Sequence, residues 1–460
     1  MSSDKWLKGT PVSPKELLDS RTQRAQYQRE MCEKGCMSLV SMTLNIPGPV
    51  KQFPLAKAAA ESCVEELRSM FGTSILEQQL LHLHTGSEAM IRLDLPPEFV
   101  KKKLIQLEEL HPLGRLFDLD VLGQDGRAVS RKQMGKPPRA CLLCGGDAKV
   151  CARSQAHSMQ ELQNYVGELL SSYFREEGAR ACAVCATRAL LYEVSTTPKP
   201  GLVDRANSGA HHDMDYFTFL DSSAALAPWF QRFFCAGWDL SSLPISQLFG
   251  QLRWIGCQAE RDMFLATGGV NTHKGLIFAL GVLCGALGYL RAECVGPVCL
   301  QRLCQICAEL GQCSLHDFGL ELQDMLTCGE ECFQKYQIAG ARGSAAAGFR
   351  LATEIGLPSL RHWTKKGFSL NDASAITLLA LMAKTEDTNM IHRGGLDLAC
   401  SCRENAGKLL RTLNEENFHR ILNKLDEEFI HQNLSPGGCA DLLAISLMFW
   451  MLEQKGEITY

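Results

Sequence analysis

Short runs of alternating apolar residues occur in the first 150 residues of this chain, and few occur after that point. A half-buried strand needs a period of two and an amphipathic helix a period of 3.6, so the switch separates two bodies of different fold class. In the first part, residues 37–51 (MSLVSMTLNIPGPVK), 87–95 (SEAMIRLDL) and 114–123 (GRLFDLDVLG) read as strands. Residues 58–72 (AAAESCVEELRSMFG) have helical period and a terminal glycine. Residues 157–194 read as helix throughout, and long Ala- and Leu-rich amphipathic segments such as 373–383 and 440–452 follow to the end. At 460 residues the chain also exceeds what one core ordinarily serves. The expected organisation is an α+β domain over residues 1–176 and a mostly α-helical bundle over residues 177–460, with the junction inside a helical stretch near 174–178.

Composition narrows the setting. Apolar residues make up 46% and charged residues 21%, which is a globular balance. A net charge of −4 over this length gives no argument for a nucleic-acid partner or a membrane surface. The opening residues, MSSDKWLKGTPVSPKELLD, contain no apolar core of a signal segment. The apolar run at 275–290 is short and glycine-rich, which reads as a buried helix and not a span. A cytoplasmic protein is expected, and most of its 21 cysteines are then small buried hydrophobes. One group stands apart: Cys141-x-x-Cys144, then Cys151 and His157. It partly matches structural-zinc spacing, and a turn at Gly145-Gly146 with packed thiols accounts for the same residues, so both readings stay open.

Residues two apart on a strand face the same side, so Asp118 and Asp120 project together. Two close carboxylates repel unless they share a proton or a cation. Such hard oxygen ligands suit Mg²⁺ carrying nucleotide phosphates, and Arg115 beside them offers a bidentate phosphate partner. The competing reading is a solvated strand face. The segments LLDSRTQRAQYQRE, TLNIPGPVK, HPLGRLFDLDVL, SRKQMGKPPRACLLC and CARSQAHSMQEL occur in this order over roughly the first 175 residues. Together they resemble apo-citrate lyase phosphoribosyl-dephospho-coenzyme A transferase. The resemblance implies a nucleotidyltransferase-like mixed sheet. It also implies a reaction in which a serine hydroxyl of the apo acyl carrier subunit of citrate lyase attacks the inner phosphorus of a triphosphoribosyl chain and diphosphate leaves. Asp118 and Asp120 would then hold Mg²⁺, and Arg115, with Arg21, Arg24, Arg131 and Arg139 as further candidates, would clamp phosphate.

Residues 193–219 (EVSTTPKPGLVDRANSGAHHDMDYFTF) concentrate acids around a rigid loop set by Pro198, Pro200 and Gly201. Glu193 precedes the loop; Asp204, His211, Asp213 and Asp215 follow, with Lys199 and Arg205 interleaved. Capping of the next helix explains one aspartate. The full set points to a metal–triphosphate site. Glycine-bearing polar breaks recur downstream beside helices. TGGVNTHKG (267–275) puts Asn271, His273 and Lys274 at a helix start suited to phosphate, and matches neither a P-loop nor a dinucleotide fingerprint. GARGSAAAGF (340–349) carries Arg342; EDTNMIHRGG (386–395) carries Asp387, Asn389, His392 and Arg393; NLSPGGCADLLA spans 433–444. Gathered at one end of a bundle, these breaks would build a nucleotide cleft.

EVSTTPKPGLVDRANSGAHHDMDYFTF, GVNTHKGLIFALGVL, DTNMIHRGG and SPGGCADLLA resemble, over about residues 180–460, triphosphoribosyl-dephospho-coenzyme A synthase. That family is mostly helical and consumes ATP and 3′-dephospho-coenzyme A. The two resemblances together imply a fusion of successive enzymes. In the implied first reaction the ribose 2′-hydroxyl of dephospho-coenzyme A attacks the anomeric carbon of ATP ribose, adenine leaves and the triphosphate is retained. The oxocarbenium-like transition state calls for carboxylates near the sugar and a base for the hydroxyl. On that resemblance Asp213 and Asp215 are expected to hold Mg²⁺ and Glu193 or Asp204 to be the base. Lys199, Arg205 and Lys274 would bind phosphate; His211, Asn271, His273, Arg342, Asp387, Asn389, His392 and Arg393 would complete the nucleotide site. Where the family usually carries R-G-E, this chain has Arg342-Gly343-Ser344, so that glutamate's role is unassigned here. A regulator that keeps both folds without catalysis and a nucleoside hydrolase are the alternatives; the presence of all four aspartates argues against the regulator.

Overall fold

The computed structural model describes residues 8–316 and 328–460; residues 1–7, on which the reading of the N-terminus partly rests, lie outside them. The chain divides into two compact units, Met1–Phe174 and Arg175–Tyr460.

The first unit contains α1 (Pro14–Glu33), β1 (Ser38–Leu44), α2 (Pro54–Phe71), β2 (Ile75–Leu83), β3 (Gly86–Leu93), α3 (Pro97–Leu110), β4 (Phe117–Gly123) and the short α4 (Ala148–Ser154). Its sheet has the order β2-β3-β1-β4 and is antiparallel throughout, which corrects the expected mixed sheet. The reason lies in the connections. Helices α2 and α3 each join two strands that run the same way, but a strand of the other pair lies between them, so every neighbour is antiparallel. One sheet face carries buried Val40, Met42, Ile91, Phe117, Leu119 and Val121, and α2 and α3 pack against the sheet. The other face holds a smaller cluster in which Met31 of α1 and Cys36 meet Leu39 and Met90. β2 has no buried residue and mixed polarity, so it lacks the period-two signal that marks the other three strands.

The second unit is helical. α5 (Met159–Ser195) runs through the boundary and leads into α6 (Tyr216–Asp239), α7 (Ile245–Ala266), α8 (Lys274–Arg291), α9 (Leu300–Leu315), α10 (Cys328–Tyr336), α11 (Gly340–Ala346), α12 (Leu357–Lys365), α13 (Leu370–Met382), α14 (Thr388–Thr412), α15 (Phe418–His431) and α16 (Gly437–Gln454). Its core is built on α8, which α6 crosses closely: a Cβ on Gly288 would lie 2.0 Å from the Phe234 carbonyl oxygen. Among the described residues α8 alone is long and apolar enough to cross a membrane, and 72% of it is buried inside the unit, as expected of a core helix.

Candidate active sites

Four helix ends converge in the second unit around a cavity of about 570 Å³: the end of α5 and the starts of α8, α14 and α16. Glu193, in the last turn of α5, forms a buried ion pair with Lys199 of the following loop. Burial raises the pKa of Glu193, and the Lys199 ammonium opposes that rise. Asp387 is the N-cap of α14: its Oδ1 accepts from the Asn389 and Met390 amides at 2.9 and 3.2 Å. Its Oδ2 accepts from the Cys439 amide at 2.8 Å, so the same carboxylate ties the start of α16 to the start of α14.

Asp441 lies one turn into α16 and close against α8; a Cβ on Gly275 would fall 2.3 Å from its Oδ2. It accepts no hydrogen bond from any described residue, and it lines the cavity. Burial, then the charges of Glu193 and Asp387, hold its carboxyl well above the usual carboxylate range.

Two histidines frame the cavity. His273 precedes α8; its Nδ1 is 2.7 Å from Ser222 Oγ, and its ring meets Phe219 edge-on at 4.9 Å. Thr272 Oγ1 donates to Ser222 Oγ at 2.8 Å, which leaves the serine proton for Nδ1 and assigns the ring proton to Nε2. That Nε2 is buried without a protein partner. Burial, and then Lys199, push the His273 pKa down to about 3, so the ring is neutral. His211 sits 2.9 Å from Ser435 Oγ and 3.3 Å from an Arg393 nitrogen; burial and Arg393 lower its pKa to about 4. Lys274 pairs with Glu260 at 3.4 Å, and Asn271, Arg342 and Asn389 complete the polar wall.

Ten of the residues singled out in the sequence of this unit therefore line one cavity: Glu193, Lys199, His211, Asn271, His273, Lys274, Arg342, Asp387, Asn389 and Arg393. Five others do not line it. Asp204 organises the loop, accepting from the amides of Lys199, Ala206 and Asn207 at 3.0, 2.6 and 3.1 Å. Arg205 binds Asn371 Oδ1 at 2.9 Å. Asp215 caps α6 through the Thr218 amide at 2.9 Å, and those bonds hold its pKa below the ordinary value. Asp213 is 65% exposed on the stretch before that cap; it does not line the cavity, but its carboxylate lies 4.0 Å from Nδ1 of His211, which does. His392 pairs with Glu331 at 3.1 Å.

In the first unit, Asp118 and Asp120 project from the same exposed face of β4, opposite Thr43 and Ser41 of β1. Loss of surrounding water, then the Asp118 charge, raises the Asp120 pKa. Arg139 reaches Asp118 at 3.3 Å, Glu108 at 2.5 Å and the Phe117 carbonyl. Three of the four other candidate arginines have protein partners: Arg115 donates to the Ala140 carbonyl, Arg131 pairs with Glu108 and Glu109, and Arg24 pairs with Glu88.

A family model described as ATP:dephospho-CoA triphosphoribosyl transferase matches residues 179–459. A second, described as apo-citrate lyase phosphoribosyl-dephospho-CoA transferase, matches residues 12–173. The Protein CitXG of Haemophilus influenzae is 34% identical over 455 residues, covering 96% of each chain. The chain belongs to the CitXG family. A second Protein CitXG, from Leuconostoc mesenteroides, is 33% identical over 95% of this chain and 97% of its own. A probable 2-(5''-triphosphoribosyl)-3'-dephosphocoenzyme-A synthase of Vibrio cholerae is 41% identical over 279 residues, 60% of this chain and 89% of its own. Membership in the CitXG family makes this protein a transferase. Within that CitXG frame, sequence reasoning passed over Asp441 and Glu260. Asp441 had a signal, since it closes Pro-Gly-Gly-Cys-Ala-Asp at a helix start, whereas Glu260 lies mid-helix in α7 with none.

Proposed function

We propose that this is a bifunctional enzyme of citrate lyase prosthetic-group synthesis. In the helical unit, ATP and 3′-dephospho-coenzyme A give 2′-(5″-triphosphoribosyl)-3′-dephospho-coenzyme A and adenine. In the first unit, the phosphoribosyl-dephospho-coenzyme A moiety passes to a serine of the apo acyl carrier subunit and diphosphate leaves. The observation that carries the reading is the cavity whose lining combines an unpartnered carboxyl, Asp441, with Lys199, Lys274, Arg342 and Arg393.

Acids and bases in one cavity suit a substrate that joins a ribose to a triphosphate. Lys274, Arg342 and Arg393 bind the triphosphate. Asp441 takes the proton from the attacking 2′-hydroxyl; its raised pKa makes it a stronger base than an ordinary carboxylate. Glu193 and Asp387 add negative charge where the ribose develops positive charge. His273 offers its Nε2 proton as a hydrogen bond to the departing adenine, and the proton balance closes when adenine takes up one proton for the one the hydroxyl loses. Mg²⁺ suits the paired carboxylates of Asp118 and Asp120 on β4 by donor chemistry, and would neutralise phosphate charge when bound.

The test is adenine release from ATP and Mg²⁺ with and without 3′-dephospho-coenzyme A. Release that requires dephospho-coenzyme A supports the synthase. Release in its absence identifies a hydrolase, and no release under either condition identifies a non-catalytic relative.

A further inference from the structure

Cys141, Cys144, Cys151 and His157 lie apart from both sites above, and the proposed chemistry uses none of them. One ligand atom from each comes within 4.8 Å of all the others. The Cys144 and Cys151 sulfurs are 3.5 Å apart. A tetrahedral ion with bonds of about 2.3 Å to sulfur needs sulfurs roughly 3.8 Å apart.

The local fold builds this convergence in three steps. Ala140 and Asp147 form an isolated antiparallel bridge, reinforced by Cys141 N–H to Gly146 O at 2.5 Å and Ala148 N–H to Arg139 O at 3.1 Å. The turn between them closes through Gly145 at φ +74°, which brings Cys141 and Cys144 together. Asp147 then caps α4 through the Lys149 and Val150 amides, and Cys151 lies one turn into that helix. Gln155 ends α4 in the left-handed conformation, and the chain returns His157 to the sulfurs. The Nε2 of His157 is buried with no hydrogen-bond partner.

Packed thiols do not account for this arrangement. α4 has seven residues and buries none of them, and most of the surrounding segment is exposed. Isolated helices shorter than about 12 residues are marginal in water, so a piece this short needs an anchor that apolar burial does not supply here. We propose that Cys141, Cys144, Cys151 and His157 bind one Zn²⁺ in a closed, tetrahedral, structural site. Four protein ligands leave no open position for water, so the ion organises the segment and does not activate a nucleophile. What it organises is the acid pair's surroundings. Arg139 and Ala140 enter the turn directly, and through them Arg139 is held against Asp118 and Arg115 is held by the Ala140 carbonyl. Binding displaces the thiol protons, leaving three thiolates and a neutral imidazole around the ion.

The full chain, purified without a metal-chelating tag and dialysed, is expected to retain about one zinc per chain by elemental analysis. Zinc release on treatment with a thiol-specific mercurial should track modification of the cluster thiols. Replacement by Co²⁺ should give thiolate-to-metal charge-transfer and tetrahedral d–d bands. A Cys144→Ser/Cys151→Ser variant should lose the zinc and lose carrier modification by about tenfold or more, while adenine release by the helical unit is unchanged. Wild-type protein from zinc-supplemented cells holding under about a tenth of an equivalent overturns the proposal, as does a variant that keeps its full zinc. A Cys144–Cys151 disulfide found by mass spectrometry in metal-free wild type overturns it as well.

Discussion

At the residue scale, the proposed synthase chemistry rests on Asp441 as the base. Asp441→Asn keeps the shape of the side chain and removes the base, so adenine release is expected to fall about 10²- to 10⁴-fold with the helical circular dichroism unchanged. Asp213→Asn, at an exposed position outside the cavity, is expected to stay within a fewfold of wild type. Equal losses in the two variants would return the metal role to Asp213. The contrast shows what a sequence can carry at this scale. Asp213 and Asp215 stand out because charge is dense along the chain there; in the fold Asp215 caps α6 and Asp213 is exposed beside His211. Asp441 stands alone among the apolar residues of the first four turns of α16, and its place against α8 depends on Gly275, 166 positions earlier in the sequence. His273 carries a second expectation. Its folded pKa, about 3, lies below the ordinary histidine value of 6.5. The unfolded chain therefore takes up a proton as the pH falls below about 6.5, and the folded chain does not until about 3. The stability from this residue is present above the unfolded pKa and is lost on acidification. Relative to His273→Asn, wild type is expected to lose about 1.4 kcal/mol per pH unit across that window, read from urea midpoints at several pH values. Parallel pH profiles for the two proteins would remove the assignment.

At the scale of elements, the site is a meeting of helix ends, and one glycine permits the closest approach. Gly275→Ala places a methyl 2.3 Å from the Asp441 carboxylate, so either α8 and α16 part or Asp441 turns away. A loss of about 1–3 kcal/mol in stability, with a drop in kcat larger than any change in KM for ATP, is expected. A variant with normal turnover would mean that the two helices have slack. The elements themselves were largely legible. Period-two runs gave β1, β3 and β4, helical period gave α2, and the Pro-Lys-Pro-Gly stretch gave the loop after α5; α13 and α16 are helices as expected but are buried on all sides and not amphipathic. Two things were not. β2 buries nothing, so no alternation marks it. The sheet's antiparallel order depends on which strand inserts between which, a relation between distant segments that periodicity does not encode.

For the whole molecule, the division into units at Phe174 places each proposed site within one of them: Asp118 and Asp120 in the first, Asp441 in the second. The sequence made both halves visible because each carries its own ordered motifs. It could not say whether the product of one half reaches the other without leaving the chain. Asp118→Asn should abolish carrier modification and spare adenine release; Asp441→Asn should do the opposite, yet accept triphosphoribosyl-dephospho-coenzyme A supplied from outside. Mixed in equal amounts with ATP, dephospho-coenzyme A and apo carrier, the two variants are expected to restore carrier modification after a lag that lengthens on dilution. The intermediate is a charged, water-soluble nucleotide, and the cavity that would make it is lined wholly by residues of the helical unit, so escape into solution is the simplest route. Steady modification by wild type with no lag, alongside a mixture that never recovers, would show that the intermediate stays with the chain that made it. A loss of both activities from either single substitution would mean that the sites do not divide as the two units do.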